Sequence, residues 1–420
     1  MACPCGGGGA GHFDRNAGAA PGCRGTWLPG AAPVTRQHRC RAWDQTLRRE
    51  PVTTPAWSDR MWSWFGRQRA SMQKSDMILK PCPEIYGGTA VISQLPRVST
   101  AHGACLLPRV AYGPGGGLYE PSGRAVPEGL SFRGVPAPHT PLDHLHTTVD
   151  AGDFPIIKDD LHYVYIGTIN RHYGHFLIGA AARLWSLPVH GRDRLRLVFD
   201  AGHDVADLFQ EAYARCFFEA LNIAEENFIA FHEGVRFERI EVPALAFEEN
   251  SHVHKVYSET MRHVGRIICP AGGSVRSGSL TYLSKERVRS GNTRIANEGE
   301  ITSCLRMLGV EVLFPEELSM EEQIKVWRTR SLILGVVGSV LHTGIFAAPT
   351  KVLSMTPGPR LWSNQILIDR VSGHQATYLY PTRGISSKGP GDSFLNNYHV
   401  ENPETLAREM VDAAHEALQV

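Results

Sequence analysis

From about Asp150 to the end of the chain, short β-branched apolar runs alternate with amphipathic stretches of helical period, the pattern of strands alternating with helices. Leu161 to Ile166, Leu195 to Phe199, Phe228 to Phe231 and Phe237 to Val242 read as strands, and Tyr173 to Leu187, Val205 to Leu221 and about His254 to Ile268 as helices. Cys269-Pro270-Ala271-Gly272-Gly273-Ser274 then reads as a hinge. Beyond it, strands are expected at Leu280 to Ser284, Val310 to Phe314, Leu332 to Val337, Lys351 to Met355 and Thr377 to Tyr380. Helix starts are marked by Asn297 with Glu300 and by Ser319 with Glu322, both capping-box spacings. Further helices are expected over Ser339 to Ala347 and Asn364 to Val371, and a last one from Asn402-Pro403, cap and N1 proline, to about Leu418. This order predicts an α/β fold of two alternating units, the second Rossmann-like.

The earlier part of the chain breaks the pattern. Residues 1–75 are glycine, alanine and proline runs with scattered arginines and no hydrophobic period, so they cannot bury a core. They read as a disordered tail or as sequence upstream of the true start, with Met61, Met72 and Met77 as candidate starts; the composition fits the second better. From Met77 to about Asp150, apolar runs separated by Gly and Pro, as in Gly113-Pro114-Gly115-Gly116-Gly117, predict strands and turns. The expected organisation is a tail over 1–75, an α/β domain over 76–270, a Rossmann-like domain over 271–400 and a closing helix over 401–420.

Composition narrows the function. With 42% hydrophobic and 20% charged residues, a net charge of +1 and a pI near 7.7, the chain has a globular balance and no electrostatic footprint for nucleic acid. The longest apolar stretch, Leu332 to Pro349, is interrupted by three glycines and His342, so it reads as strand, turn and helix rather than as a membrane span. No apolar h-region marks a signal peptide. The nine cysteines have neither zinc-ligand spacing nor the density of a disulfide framework, which fits a reducing cytoplasm.

Three stretches carry candidate chemistry. In Gly335 to Ala347, GVVGSVLHTGIFA, a buried strand ends at Gly338, Ser339 can cap a helix, and His342 projects from its first turn, the arrangement by which open α/β sheets hold an anion. Ser284-Lys285-Glu286-Arg287-Val288-Arg289, with Arg294, Asn297 and Glu298 shortly after, sits at the carboxyl end of another strand. Alone it reads as a solvated basic loop; paired with the glycine turn it can neutralise a diphosphate. Asn170-Arg171-His172-Tyr173-Gly174-His175-Phe176 gathers polar side chains at a helix start otherwise apolar, with Arg183 further along. A histidine there, His175 first, can act as a general base near neutral pH. His172, His175, His252 and His254 lack a carboxylate or cysteine to complete a metal set, and no Asp-x-Asp pair is present to hold a divalent ion.

Tyr173-Gly174-His175-Phe176-Leu177 with Arg183-Leu184-Trp185, then Tyr282-Leu283-Ser284-Lys285, Asn297-Glu298, Phe314 to Ser319 with Gln323, and Gly338-Ser339 with Leu341-His342 and Phe346-Ala347, resemble glycosyltransferase family 61. Bacterial members of that family are described as capsular polysaccharide biosynthesis proteins. The resemblance spans about Asn170 to Met355 and implies a GT-B-like architecture, two Rossmann-like domains facing each other across a cleft, with inversion at the anomeric carbon. On that reading, Ser284, Lys285, Arg287, Arg294, Glu298, Gly338, Ser339 and His342 bind a nucleotide-sugar donor. His175 is the catalytic base, and Asn170, Tyr173 and Arg183 shape the acceptor side. No metal and no cofactor is implied. Many relatives have Arg where this chain has Lys285, a point charge in place of a bidentate fork. Others have a His-Gly-Ala sequence near the last motif, where this chain has Gly338-Ser339-Val340-Leu341-His342.

The expected activity is therefore transfer of a sugar from a nucleotide-diphosphate donor to a glycan or lipid-linked acceptor in capsular, exopolysaccharide or lipopolysaccharide biosynthesis. A lipid-linked acceptor would add peripheral contact with the inner face of the cytoplasmic membrane, although no basic amphipathic helix points to it. Two alternatives stand beside it: a polysaccharide pyruvyl transferase, and a non-catalytic nucleotide- or glycan-binding subunit of a polysaccharide assembly complex. A dinucleotide oxidoreductase fits poorly, because Gly335-Val336-Val337-Gly338 lacks the full G-x-G-x-x-G turn.

Overall fold

The computed structural model describes residues 78–108, 116–134, 150, 153–187, 191–200, 204–270, 277–288, 293–387 and 396–419. The expectations for residues 1–75, for Gly113 to Gly115 and for Ala271 to Ser274 lie outside the described residues. Everything described belongs to one compact unit, Gln68–Val420.

The described residues form a mixed α/β fold with two main sheets. In the C-terminal sheet the strands Ser277–Leu283, Glu311–Leu313, Arg330–Val336, Lys351–Met355 and Gln375–Pro381 all run parallel, and Leu79–Pro81 adds an antiparallel edge against Gln375–Pro381. Across the sheet Ser277–Leu283 lies between Glu311–Leu313 and Arg330–Val336, so the chain first steps to one side and then works outward on the other. The winding reverses between Ser277–Leu283 and Arg330–Val336, and the crevice at the carboxyl ends of two such strands is where doubly wound sheets bind ligands. Those ends are Ser284-Lys285 and Val337-Gly338.

Both faces of this sheet are covered, which explains the unbroken apolar run of its central strand. Leu332, Leu334 and Val336 point to one face, against Ile301, Leu305, Leu406 and Met410 of the helices Glu298–Met307 and Pro403–Gln419. Ile333 points to the other, with Trp327 and Leu341.

The second sheet is ordered Gly117–Tyr119, Val98–Leu107, Val235–Pro243, His162–Thr168, Leu195–Asp200, Phe228–Ile229, antiparallel at its first two pairings and parallel beyond. One apolar core joins it to the C-terminal half. Phe176, Phe217, Tyr257, Met261 and Val264 pack in the same cluster as Met320, Ile324, Ile345, Phe346 and Leu367. The helix Lys255–Ile268 approaches so closely that a Cβ on Gly265 would lie 2.3 Å from the Phe346 carbonyl oxygen.

Several local expectations are corrected. The helix from Tyr173 is α only to Ile178; Gly179, at φ −103° and ψ −104°, breaks it, and Ala180–Ser186 continues as a 3-10 helix. Val205 to Leu221 is two helices, Val205–Gln210 and Ala212–Ala220, separated by an extended Glu211. Ser339–Phe346 is 3-10 and its cap is Gly338, whose φ of +153° with ψ of −179° is a region essentially reserved for glycine. The Ser319–Glu322 capping box forms as expected, with Ser319 Oγ accepting from Glu322 N–H at 3.2 Å and Glu322 Oε2 accepting from Ser319 N–H at 2.8 Å. The Asn297 box does not form. Its amide pairs instead with the Val400 backbone, donating at 2.9 Å and accepting at 3.0 Å, which extends the Thr293–Ile295 and Asn396–Val400 ladder.

The helix Ser363–Ser372 holds a carboxyl group in the interior. Asp369 is 1% exposed and accepts from Tyr378 Oη at 2.7 Å and from Gln365 Nε2 at 3.1 Å on both oxygens. Burial pushes its pKa up to about 7, the hydrogen bonds offsetting only part of that penalty. A carboxyl group that holds its proton more tightly folded than unfolded gives stability that is full below the unfolded pKa near 4 and is lost as pH rises through about 7. Asp369→Asn is expected to remove a few kcal/mol of this slope, read by urea unfolding at pH 5 and pH 8.5; an unchanged difference between the two pH values would show that Asp369 titrates normally.

Candidate active site

The chain leaves strand His162–Thr168 and turns into the helix Tyr173–Ile178, with Asn170 Oδ1 accepting from the His172 N–H at 2.8 Å. The helix start is pressed against the 3-10 turn of the C-terminal half. A Cβ on Gly174 would lie 2.8 Å from Ser339 Cβ and 3.5 Å from His342 Nδ1, so only glycine permits this approach. Beside it, Tyr173 Oη is 2.8 Å from Thr343 Oγ1, and Thr343 Oγ1 donates to Gln323 Oε1 at 3.3 Å. Gln323 is itself fixed, its amide donating to the carbonyls of Pro315 at 2.9 Å and Leu318 at 3.2 Å. Burial holds the Tyr173 phenol far above its ordinary range, so Tyr173 acts as a neutral cross-link between the halves.

On the C-terminal side, Lys285 Nζ donates to the Thr293 carbonyl at 2.9 Å, with the Val337 carbonyl at 3.5 Å, and so spans the gap between the two strands where the winding reverses. A Cβ on Gly338 would lie 2.9 Å from that ammonium. Burial lowers the Lys285 pKa; Glu298 pulls it back up and Arg294 pushes it down. Glu298 Oε1 accepts from Tyr282 Oη at 3.0 Å, Ser284 Oγ at 3.0 Å and the Lys285 N–H at 2.9 Å. Ser284 and Glu298 thus build the floor under Lys285. Arg287 stacks 3.8 Å above the Phe314 ring and pairs with Glu317. Arg294 stands on the neighbouring strand, with its Nε buried and no hydrogen-bond partner in the described structure.

Three imidazoles face the same crossing. The His172 and His175 rings are 5.3 Å apart. His342 is 8% exposed, and its Nδ1 has no hydrogen-bond partner. Burial, reinforced by His175, His172 and Lys285, holds His342 down to about 3, so it is neutral across the physiological range. Burial likewise lowers His172, with His175 and Lys285 adding to it.

A pocket of about 270 Å³ opens on the N-terminal side, lined by Thr168, Asn170, His175, Arg183, Arg133 and Glu249 among others. Arg183 is buried and spends its guanidinium on backbone: it donates to the carbonyls of Pro243 at 2.5 Å, Gly129 at 3.0 Å and Leu130 at 3.0 Å, and to Glu128 O. It therefore fixes the Pro127–Gly129 turn beside the pocket. Glu249 stands against His175, with 3.5 Å between Oε1 and Nδ1. The sequence did not single out Glu249 and Arg133, because a strand pairing between distant segments brings them together and no spacing along the chain signals it.

Among the described residues no three His, Cys, Asp or Glu side chains gather as a metal would require. His252 and His254 are engaged with Ser251 Oγ at 2.9 Å and the Gln94 carbonyl at 2.6 Å. No described helix is long and apolar enough to cross a membrane.

Both faces of the site fall in one contiguous stretch, from Tyr173 to the strand Lys351–Met355. Residues 173–353 match the Glycosyltransferase 61 family model. The match starts at the tyrosine that bridges to Thr343 and takes in His175, Glu249, Lys285, Gly338 and His342. The similarity is to a family of glycosyltransferases, and it covers rather less than half of the chain. No curated protein matches the chain.

Within this site Arg183 can be tested directly. Arg183→Met keeps the volume and strands several buried carbonyls, so stability should fall by roughly 3 kcal/mol or more. Chemical unfolding measures it; a loss below about 1 kcal/mol would mean that the carbonyls find other partners.

Proposed function

We propose that this chain is an inverting, metal-independent glycosyltransferase of GT-B architecture, moving a sugar from a nucleotide-diphosphate donor to a hydroxyl of a glycan or lipid-linked acceptor. The setting would be capsular, exopolysaccharide or lipopolysaccharide assembly on the cytoplasmic side of the membrane. The observation that carries the reading is the crevice at the winding reversal, with Lys285 and Gly338 on its rim, set against the helix start that bears His175.

In this reading the diphosphate lies over Lys285, the Gly338-Ser339 turn and the unpartnered His342 Nδ1. Ser284 and Glu298 act beneath Lys285, by holding its backbone. Arg294 stands close enough to add positive potential, whereas Arg287 would have to leave Glu317 to take part. The acceptor enters the pocket beside Asn170 and His175. His175 Nε2 takes the proton of the acceptor hydroxyl as its oxygen attacks the anomeric carbon from the face opposite the diphosphate. The bond from that carbon to the diphosphate oxygen breaks, and the electron pair leaves with the nucleoside diphosphate. Negative charge grows on the leaving oxygen as the bond lengthens, so preorganised positive groups there supply the largest share of catalysis, about 3 kcal/mol for each donor removed.

The test is thermal stabilisation by a panel of nucleoside diphosphates with EDTA present, in the wild type and in Lys285→Ala and His342→Ala. A nucleotide at about a hundred times its Kd should add about 2.7 kcal/mol of stability. One nucleotide is expected to stabilise the wild type and neither variant. Stabilisation by none, or only with magnesium restored, would overturn the donor site as drawn; release of phosphate from phosphoenolpyruvate would favour pyruvyl transfer instead.

A further inference from the structure

We infer that Glu249 is a positioning residue that, clamped by Arg133, fixes the ring of His175 with Nδ1–H toward the carboxylate and leaves Nε2 facing the pocket. The inference rests on the reading of His175 as the base and extends it to residues that reading does not contain.

The two oxygens of Glu249 have separate partners. Oε2 accepts from Arg133 Nε. Oε1 is 3.5 Å from His175 Nδ1 and 3.5 Å from Asn364 Nδ2, which reaches in from the C-terminal half. Arg133 therefore satisfies one oxygen and leaves the other turned to the histidine. The backbone around Glu249 is pinned on every side. The Gly134 N–H donates to the Glu249 carbonyl at 2.8 Å, the Asn250 N–H donates to Asn364 Oδ1 at 2.6 Å, and the Gly88 N–H donates to the Asn250 carbonyl at 2.9 Å. Asn250 holds φ at +52°, a left-handed conformation that asparagine tolerates and that ends the strand just after Glu249. A carboxylate on so fixed a backbone can orient a ring without moving itself.

The charges around His175 favour this assignment. His172 and His342 are its imidazole neighbours, and burial lowers both, so near neutral pH neither is a cation. Lys285 acts on both of those histidines from the donor side, and Arg133 lies behind the carboxylate. Glu249 is the anion in contact with the ring. Removing the carboxylate therefore frees the tautomer of His175. A distance of 3.5 Å is long for a neutral hydrogen bond, and catalytic hydrogen bonds are often long before substrate binds.

The test uses the full chain labelled with 15N-histidine, the His175 signals being assigned by their loss in His175→Gln. The wild type is expected to show the Nδ1–H tautomer. Glu249→Gln should mix the tautomers. Asn364→Ala, which removes the competitor for Oε1 and keeps the carboxylate, should retain the Nδ1–H tautomer. A tautomer unchanged in Glu249→Gln, or mixed in Asn364→Ala, would overturn the inference, and the second variant serves if the first does not fold. The base reading is tested apart from this: if His175→Gln still releases nucleoside diphosphate from a panel of nucleotide sugars at the wild-type rate, that reading falls, whatever the spectra show about Glu249.

Discussion

Gly174 has no side chain, and the site is built on that absence. A single methyl group there would clash with Ser339 Cβ at 2.8 Å. Without it, the helix start of one half settles on the 3-10 turn of the other, and the Tyr173–Thr343 hydrogen bond locks the approach laterally. His175, one residue along, is thereby held beside His342 and the Lys285 rim. The contact is backed by the apolar core in which Phe176 and Phe346 share neighbours, so the cleft has a rigid floor rather than a hinge of loose loops.

The winding of the sheet and the closeness of that contact explain why polar groups are gathered at this crossing. Doubly wound sheets leave a crevice where the strand order reverses, and here its edges are Lys285 and Gly338. Gly338 takes a backbone conformation closed to other residues, which lets the chain leave the strand flush with the Lys285 ammonium. The turn after Gly338 is 3-10 and not α. His342 and Thr343 on it lie in the interior, at 8% and 1% exposure.

The strands were the most legible part of the fold. Arg330–Val336 and Lys351–Met355 stand where their apolar runs predict, because both faces of the sheet are covered and a short, unbroken β-branched run marks such a strand. The Ser319–Glu322 cap was legible for a similar reason, since both partners lie in one turn. Asn297 has the same local signature and fails it, because a backbone ladder some hundred residues away offers its amide two better-aligned partners at Val400. Helix breaks at Gly179 and Glu211 were not legible, since packing against the shared aromatic core overrides a continuous amphipathic pattern. At the site, residues identified by chain-local motifs were found at the crossing, as His175, Lys285, Gly338 and His342 were. Glu249 and Arg133 were missed, because only strand pairing brings them to His175.

The basic run after strand Ser277–Leu283 shows why charge type in a sequence is a weaker guide than charge environment. Arg287 is half exposed, stacked on Phe314 and neutralised by Glu317, so its charge is already answered. Lys285 is in the opposite state. Its ammonium bonds carbonyl oxygens, its nearest carboxylate is occupied by three other donors, and burial still lowers its pKa. A cation so desolvated and so incompletely compensated is one that an arriving anion stabilises, because the anion restores the charge partner that burial withheld. The same holds for His342, kept neutral by burial with an unpaired Nδ1. An anion at the crevice would raise the proton affinity of both, so binding and protonation reinforce each other there. The diphosphate of a sugar donor is an anion of that kind, and its charge increases as the sugar departs. In the proposed reaction the groups that were costly to bury would be the ones whose interaction strengthens toward the transition state, which is the condition for catalysis rather than mere binding.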